Sequence, residues 1–591
     1  MRTAIGVSIG SIPMWAWHHQ FVIAISALGF VPLVLYLAIW PGLFVWLLRR
    51  VTDHYSRVPL FVTVPLVWVG LEMLRGEVVF TGYPWFLVAH PFVPVSVVAN
   101  YASLIGVYGV GALVMLTIGW GFDFARWTPG RSDANQRRGR LLRYVGAGGA
   151  ITLFLGAAMM WPEVRKDGDW LVVGAVQTNV PQSNKLDWTL EQRLADLDRF
   201  IALTRLVSDA KQTDPQTGES FKLGTPDLIV WPETMYPWYW LNPDAVAIER
   251  KSGLTTNGNP STAIFDELMA LQREMGVPMI VGAVAADGLS IDVDASGELK
   301  VKQDAVYNSA FVIHDGAVDP KRYDKVHLTP FGEVMPYISA WPWLEKKLLA
   351  LGAGGMSFDL APGTSASTLS IDIPERGKRA VQSVALATPI CFESTMTGVC
   401  RELVYAGGKR RARAMVNLTN DGWFMWHDGG RKNHLLQARW RCIELGTPMI
   451  RAANTGISAV IDSHGRILAR GTNIGKKASA ARSDGALWAQ FRLPDTGRVT
   501  MYGRTGNLVG WMILGMLIVV MVLTCVTPPQ PAPELTKLPA APDDAGRLLK
   551  LRQPPPPEDK APPLKLVGQE PSPPKPMKRT PSDPPPESTD A

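Results

Sequence analysis

The stretch Ala387-Thr388-Pro389-Ile390-Cys391-Phe392-Glu393 decides how the rest of this chain is interpreted. It closes an apolar run, residues 384–390, which has the length of a buried strand. A thiol at the end of such a strand becomes a good nucleophile when a base or a positive charge lies near it. Most single cysteines in that position simply pack in the core, so the thiol needs partners before it predicts chemistry.

Two upstream segments supply candidate partners. Glu233 closes a second apolar run in Val230-Trp231-Pro232-Glu233, and Lys325 and Glu333 lie in Tyr323-Asp324-Lys325-Val326-His327-Leu328-Thr329-Pro330-Phe331-Gly332-Glu333. A carboxylate, an ammonium group and a thiol near strand ends are the parts of a nucleophilic acyl-transfer site. Glu233 could take the thiol proton, Lys325 could stabilise the oxyanion, and Glu333 could orient Lys325. Taken singly, each segment also fits a turn or a surface ion pair.

Composition points to a membrane protein with a large soluble part. Of the 591 residues, 47% are hydrophobic and 19% charged, yet the mean hydropathy is only +0.07. The net charge of +7 does not require nucleic acid, because much of it lies in short loops between apolar segments. The four cysteines form no CxxC pair, so neither a disulfide framework nor a zinc site is expected, and no cofactor is predicted.

Several apolar segments approach the roughly 20 residues that cross a bilayer. An opening segment, residues 3–17, is interpreted as a span cut short at its start. The others are residues 21–48, 58–74, 99–122, 144–161 and 508–526.

Arginines in two loops orient these spans. Arg49, Arg50 and Arg57 lie in one loop, and six arginines between residues 126 and 143 lie in the other. Both loops should be cytoplasmic by the positive-inside tendency. The predicted domains are a transmembrane helical domain (1–162), an extracytoplasmic catalytic domain (163–505), a last transmembrane helix (506–527) and a disordered Pro-rich tail (528–591).

The middle block is predicted to be one α/β domain. Helical periodicity appears in residues 190–207 and 434–445, between apolar runs of strand length. The predicted strands are residues 170–177, 227–231, 278–284, 308–313, 384–390, 414–418 and 456–461.

Around all three candidate residues, the local sequence resembles the nitrilase, or carbon–nitrogen hydrolase, superfamily. Its members use a Glu-Lys-Cys triad on an αββα sandwich. Helices, then such a domain, then one last helix is similar to the layout of the bacterial apolipoprotein N-acyltransferase family. Gly82-Tyr83-Pro84-Trp85, Asn420-Asp421-Gly422-Trp423-Phe424 and Tyr502-Gly503-Arg504-Thr505-Gly506-Asn507 also resemble that family.

The resemblance implies a role for each site residue. Cys391 would be the nucleophile that becomes a thioester, Glu233 the general base and Lys325 the oxyanion-stabilising residue. Glu333 and Glu393 match two further carboxylates that family members need. The acyl donor would be a phospholipid and the acceptor the N-terminal amine of a diacylated lipoprotein. The protein would then be a multi-pass protein of the bacterial inner membrane, with its catalytic domain on the periplasmic side.

The sequence departs from the family pattern at several positions. Phe392 stands where the family usually has Tyr, and Leu186 follows Lys185 where the family often has Trp. The first two spans typical of the family are not seen, and the Pro-rich tail is additional. Trp238 and Trp240, just after Glu233, are expected to contact the lipid substrate together with Phe392, although packing inside the domain explains the two tryptophans equally well.

Two other functions stay open on the sequence alone. A membrane-tethered amidase would use the same triad on a small soluble substrate, with water as the second nucleophile. A non-catalytic membrane protein with a relic domain would not need Glu233, Lys325 and Cys391 together. Several spans favour the acyltransferase, because a simple tether needs only one helix.

Overall fold

The computed structural model describes residues 1–25, 27–125, 169–181, 188–213, 220–256, 258–293, 299–330, 332–334, 360–375, 380–472 and 481–528, with a few isolated positions between them. The predicted tail (528–591), apart from its first residue, and almost all of the predicted span at residues 144–161 lie outside the described residues. The described residues belong to one compact unit, Met1–Gln530.

Helices dominate the first 125 residues. A π-helical turn, Leu74–Val78, continues α4, and short 3-10 turns cover Val79–Thr81 and His90–Phe92. The α-helices are α1 (Arg2–His19), α2 (Phe21–Ile25), α3 (Ala27–His54), α4 (Leu60–Met73), α5 (Ser96–Ala99) and α6 (Ala102–Ala125).

Three helices in the described part of the chain are long and apolar enough to cross a membrane. They are Gly29–His54, Ala102–Ala125 and the late helix Leu508–Val526. The predicted span at residues 58–74 is the shorter helix α4, which packs between α6 and the late helix. Gly70 of α4 lets the Leu517 side chain approach, since a Cβ there would lie 2.7 Å from a Leu517 methyl.

The basic segment predicted as a loop lies at the far end of this helical bundle, where Arg49 and Arg50 belong to the last two turns of α3 and Arg57 lies in the loop that follows. Arg50 donates from Nε to Thr524 Oγ1 (2.8 Å), near the end of the late helix, and Asp123 near the end of α6 accepts from the Phe61 amide (3.1 Å). Both helices begin next to the α/β domain and end beside this loop. The basic loop and the α/β domain are therefore at opposite ends of the spans.

Two six-stranded sheets form the middle of the chain. Their strand orders are β11-β10-β7-β4-β1-β20 and β12-β13-β16-β17-β18-β19, with short two-stranded ribbons outside them. The strands are β1 (Trp170–Gln177), β2 (Lys211–Thr213), β3 (Ser220–Lys222), β4 (Leu228–Val230), β5 (Thr255–Thr256), β6 (Asn259–Pro260), β7 (Met279–Asp287), β8 (Ser290–Val293), β9 (Leu299–Lys302), β10 (Ala305–His314), β11 (Ala317–Asp324), β12 (Leu369–Ile373), β13 (Gln382–Ala387), β14 (Tyr405–Ala406), β15 (Lys409–Arg410), β16 (Ala414–Thr419), β17 (Met449–Ala453), β18 (Ala459–Ile461), β19 (Ile467–Arg470) and β20 (Gly485–Arg492).

Helices cover the outer faces of both sheets. The remaining helices are α7 (Leu190–Ser208), α8 (Pro243–Ser252), α9 (Ala263–Met275), α10 (Thr397–Val404), α11 (Asp428–Leu445), α12 (Met501–Thr505) and α13 (Leu508–Val526). Val173 and Val312 of the first sheet share one buried cluster with Val384 and Val416 of the second, so the sheets pack face to face. With α7 and α9 on one side and α10 and α11 on the other, this is the αββα sandwich that the sequence predicts.

The helical bundle meets the sandwich along α11. Glu444 accepts a hydrogen bond from the Val107 amide (2.8 Å), where α6 is kinked at Gly106 (φ 70°). A Cβ at Gly106 would lie 2.7 Å from the Tyr502 ring of α12, so this close contact requires glycine. The kink leaves backbone groups of α6 without helical partners, and the catalytic domain supplies one.

Candidate active site

Cys391 lies in a sharp turn between a strand and a helix. The chain passes from β13 through an extended Ile390 into a 3-10 turn that begins at Cys391, whose φ is 50°. A left-handed conformation is strained for a residue with a Cβ, and such strain clusters at functional sites. The turn leaves Cys391 partly exposed, while its neighbours Ile390 and Phe392 are buried.

Glu233 follows β4 on the first sheet. Its turn lies directly on Gly282 of β7, where a Cβ would come within 2.3 Å of the Pro232 carbonyl oxygen. The buried carboxylate accepts from Asn308 Nδ2 (2.7 Å) on one oxygen and from the Asn420 amide (2.8 Å) on the other. Both sheets therefore contribute to fixing this carboxylate.

Lys325 is the first residue after β11 and is fully buried. Its Nζ donates to Glu333 (2.5 Å) and to Thr329 Oγ1 (3.2 Å), and it lies 3.7 Å from a Glu233 oxygen. An ammonium group has three donors, and these contacts use two of them at hydrogen-bonding distance. The third is available for an oxygen atom that enters the site.

Asn308 of β10 connects the two carboxylates, and the sequence analysis did not single it out. Its side-chain Nδ2 donates to Glu233 (2.7 Å) and to Glu333 (3.3 Å). Its backbone carbonyl accepts from the backbone amide of Lys325 (2.9 Å). The amide nitrogen must face the carboxylates, since ionised carboxylates only accept. Asn308 therefore bridges the two carboxylates beside Lys325, whose ammonium group makes only a long ion pair of 3.7 Å with Glu233.

Charge and burial set the protonation states of these groups. Burial opposes the charge on Lys325, but Glu333 and Glu233 outweigh it and raise the lysine pKa above its ordinary value. Burial alone would raise the pKa of Glu333, but the charge and hydrogen bond of Lys325 lower it below its ordinary value. Burial, and then the negative charge of Glu233, raises the pKa of Cys391 to about 12, although Lys325 pulls it down. The resting cysteine is therefore a thiol, which needs a base at the moment of attack.

Glu393 ties the lysine segment to the cysteine turn. Its buried carboxylate accepts from the Tyr323 hydroxyl (3.0 Å) and from the amides of Val326 (2.8 Å), His327 (3.0 Å) and Ile390 (2.7 Å). Burial raises the pKa of Glu393 to about 7, even with these donors around it. Its contacts go to neighbouring protein groups, so its place is structural support of the site.

A buried polar network supports the cysteine turn from below. Arg451 donates to Asp421 (2.8 Å), which in turn contacts His434 Nδ1 (2.9 Å). The other ring nitrogen of His434, Nε2, lies 3.2 Å from the Cys391 carbonyl oxygen and 3.1 Å from the Ser394 hydroxyl. Burial raises the pKa of Asp421 and is the largest single effect. Arg451 and His434 both lower that pKa, and together they hold it below the usual range for an aspartate. The His434 side chain is buried, and it contacts the backbone of Cys391.

Aromatic side chains connect the turn to the helical bundle. Phe392 and Met396 pack in one buried cluster with Phe21 of α2, Trp85 and Phe424. The Phe392 ring also stacks on the His327 ring, with 6.0 Å between centroids. The bundle thus reaches the residue next to the nucleophile, and substrate contact by Phe392 stays a prediction.

The two predicted substrate-binding tryptophans lie on the other side of Glu233. Trp238 is half-buried against the outer core of the first sheet and donates from its indole to Glu249 (2.9 Å). Trp240 is half-buried beside the exposed Tyr239, with ring centroids 5.5 Å apart. Packing accounts for Trp238, and contact of either ring with a lipid stays a prediction. Among the residues described, no group of His, Cys, Asp and Glu side chains is arranged to hold a metal ion.

The sandwich and the convergence of a carboxylate, an ammonium group and a thiol define the class of carbon–nitrogen hydrolases. The family described as "Carbon-nitrogen hydrolase" matches residues 173–492, which include Glu233, Lys325 and Cys391. The family described as "Apolipoprotein N-acyltransferase N-terminal domain" matches residues 4–120, the helical bundle.

Relatives extend the match over most of the chain. An apolipoprotein N-acyltransferase of Geobacter metallireducens is 26% identical over 86% of this chain and 80% of that protein. One of Bradyrhizobium diazoefficiens is 30% identical over 76% of this chain and 71% of that protein. The chain belongs to the apolipoprotein N-acyltransferase family, and it is a membrane protein.

Solved structures that resemble the chain cover a little over half of it. An amidase from Nesterenkonia sp. is 13% identical, with 55% of this chain and 92% of that chain covered and a TM-score of 0.31. A carbon–nitrogen hydrolase from Helicobacter pylori is 15% identical, with 60% and 93% covered and a TM-score of 0.31.

Proposed function

We propose that this protein transfers an acyl chain from a phospholipid to the N-terminal amine of a diacylated lipoprotein, through a thioester on Cys391. The observation that carries the proposal is the buried cluster shared by the Cys391 turn and the N-terminal helical region. Phe392 and Met396 share one buried cluster with Phe21 and Trp85 of the helical region. A soluble amidase has no need of such a contact, whereas an enzyme with a lipid substrate must hold its thiol beside the bilayer.

The first half-reaction uses Glu233 as base. Glu233 takes the thiol proton as Cys391 Sγ attacks the ester carbonyl carbon, and the third donor of Lys325 stabilises the oxyanion. The carbon–oxygen bond of the ester then breaks, and the leaving lysophospholipid oxygen receives the proton from Glu233. Cys391 keeps the acyl chain as a thioester.

The second half-reaction runs through the same groups. The free amine of the diacylglyceryl-cysteine attacks the thioester carbon, and Glu233 accepts a proton from the nitrogen. The carbon–sulfur bond breaks, the sulfur regains a proton, and the lipoprotein leaves with an amide. Water must be kept out between the two steps, because hydrolysis would discard the thioester.

The basic loop supports an orientation for the protein. Arg49, Arg50 and Arg57 lie at the end of the bundle opposite the sandwich, and positive loops stay cytoplasmic. The catalytic domain would then lie on the periplasmic side of the bacterial inner membrane. Cysteines introduced on the surface of the sandwich test this orientation. In intact cells, a thiol reagent that does not cross the inner membrane should alkylate them if the sandwich is periplasmic.

A lipopeptide assay tests the activity. Purified full-length protein in phospholipid micelles is given a synthetic diacylated lipopeptide, and mass spectrometry follows the amidated product and the acyl-enzyme. Cys391→Ala should abolish both, whereas Cys525→Ala, at the end of the last span, should leave both unchanged. Transfer by Cys391→Ala would refute the thioester route. Hydrolysis of small amides without transfer to the lipopeptide would favour an amidase instead.

A further inference from the structure

A cavity lies where the sandwich meets the start of the membrane helices. It has a volume of about 210 Å³, more than ten times the ~15 Å³ that admits one water molecule. Asn100 and Ser103 line it at the start of α6, and Met501 lines it shortly before α13 begins. Because both helices are spans, the cavity lies at the depth of the lipid head groups.

The cavity is separate from the candidate active site. It lies at the C-terminal end of α11, where Gly446 is part of its lining, whereas His434 near the other end of that helix contacts the Cys391 carbonyl. Twelve residues separate these positions, which is about 18 Å along a helix at 1.5 Å per residue. A ligand in this cavity would therefore not touch the thiol.

The lining is cationic. Arg410 is buried, and all of its hydrogen bonds go to neutral acceptors, among them the carbonyl oxygens of Leu445 and Gly446 at the end of α11. No ion pair with a carboxylate neutralises it within the described part of the chain. The negative end of the helix offsets only about half a charge. A buried cation is usually paired, so the remaining charge calls for an anion.

Two further basic side chains line the same cavity. The guanidinium of Arg498 is exposed at its mouth, and the imidazole of His464 lies in its wall. None of the lining side chains is acidic. The closest carboxylate in the His464 turn is that of Asp462, and it is engaged by Arg466 (2.9 Å) and by the amides of the turn.

We propose that this cavity binds the phosphodiester head group of an anionic phospholipid. Arg410 supplies a fixed positive charge, and Arg498 supplies N–H donors that can reach a phosphate. Ser103 lines the side of the cavity formed by α6 and adds a hydroxyl there. The exposed side chain of Met501 extends the lining towards the bilayer, where the acyl chains would lie. Basic pockets beside membrane helices favour such head groups over zwitterionic ones. This site goes beyond the acyl-transfer reaction and does not depend on it.

Native mass spectrometry of the full-length protein in mild detergent tests the site. The protein is titrated with phosphatidylglycerol and, separately, with phosphatidylcholine. We expect the first phosphatidylglycerol to bind about tenfold more tightly than phosphatidylcholine, as expected for one to two added charge contacts. Arg498→Gln should reduce this preference to about twofold or less, since about 1 kcal/mol per basic residue is lost.

The control is Arg504→Gln. Arg504 is also exposed just before α13, but it does not line the cavity. Equal losses for both variants, or no preference in the wild type, would overturn the proposal, because the effect would then be general surface charge. Inorganic phosphate that displaces the lipid at equal concentration would also overturn it, since the ligand would then be a free anion. Equal melting temperatures of the two variants exclude unfolding as the cause.

Discussion

The bridging amide of Asn308 offers the sharpest test of the site. Asn308→Ala removes its donor to Glu233 (2.7 Å) and its longer donor to Glu333 (3.3 Å). Lys325 and Glu233 already form a long ion pair of 3.7 Å, so the two should then close to hydrogen-bonding distance and withdraw the base from the thiol. A hydrogen bond to a charged group contributes about 1.5–3 kcal/mol, and counting only the shorter bond predicts acylation slower by about 10- to 150-fold.

The measurement is a single-turnover experiment. Protein is mixed with phospholipid, and the acyl adduct on Cys391 is followed by intact mass spectrometry. Asn242→Ala is the matched control, because Asn242 is also buried and makes two hydrogen bonds, both to Ala286 and away from the carboxylates. It should lower the melting temperature without slowing acylation of the folded protein. A wild-type acylation rate in Asn308→Ala, or equal slowing in Asn242→Ala, would refute the reasoning.

Three further predictions address the thiol, its support and the bundle. Because burial raises the pKa of Cys391 to about 12, its alkylation by iodoacetamide should speed up about tenfold per pH unit from about pH 7 to pH 10, and a plateau near pH 9 by mass spectrometry would contradict this. Glu393→Gln leaves one acceptor oxygen for donors from both segments, so it should lower the free energy of unfolding by about 1–3 kcal/mol in a denaturant titration and slow acylation, and full stability would contradict the supporting role. Gly106→Ala should lower the melting temperature, since about 1–3 kcal/mol of strain is added at a φ of 70°, whereas Gly121→Ala in the same helix, with nothing within 4 Å of the added Cβ, should not.

The sequence predicted the fold class because periodicity and motif order are local signals. The apolar runs at residues 170–177 and 414–418 correspond to β1 (Trp170–Gln177) and β16 (Ala414–Thr419). The run at residues 384–390 ended three residues late: β13 stops at Ala387, since Pro389 lacks an amide hydrogen for the ladder. The αββα architecture predicted from the resemblance is confirmed.

The sequence did not identify the residues that act through tertiary contacts. Asn308 lies inside β10 between Tyr307 and Ser309, and nothing in its local sequence indicates that it faces two carboxylates from other elements. Asp421 belongs to the motif Asn420-Asp421-Gly422-Trp423-Phe424, which resembles the family. Its ion pair with Arg451 of β17 depends on the order of strands in the sheet, which the sequence does not show. For His434 the sequence indicates only a place at the start of a helical pattern, residues 434–445. Its contact with the Cys391 carbonyl becomes visible only when α11 is placed against the second sheet.

Helix α11 also fixes the distance between the Cys391 turn and the start of the membrane helix α6. His434 contacts the Cys391 carbonyl, and Glu444, ten residues later, binds the Val107 amide where α6 bends. At 1.5 Å per residue, about 15 Å of rigid helix separates these two contacts, and both must be satisfied at once. Adding one residue between them would turn one contact by about 100° relative to the other. The reach of the thiol towards the bilayer is therefore set by the length of this helix, and a substrate must come to that fixed distance.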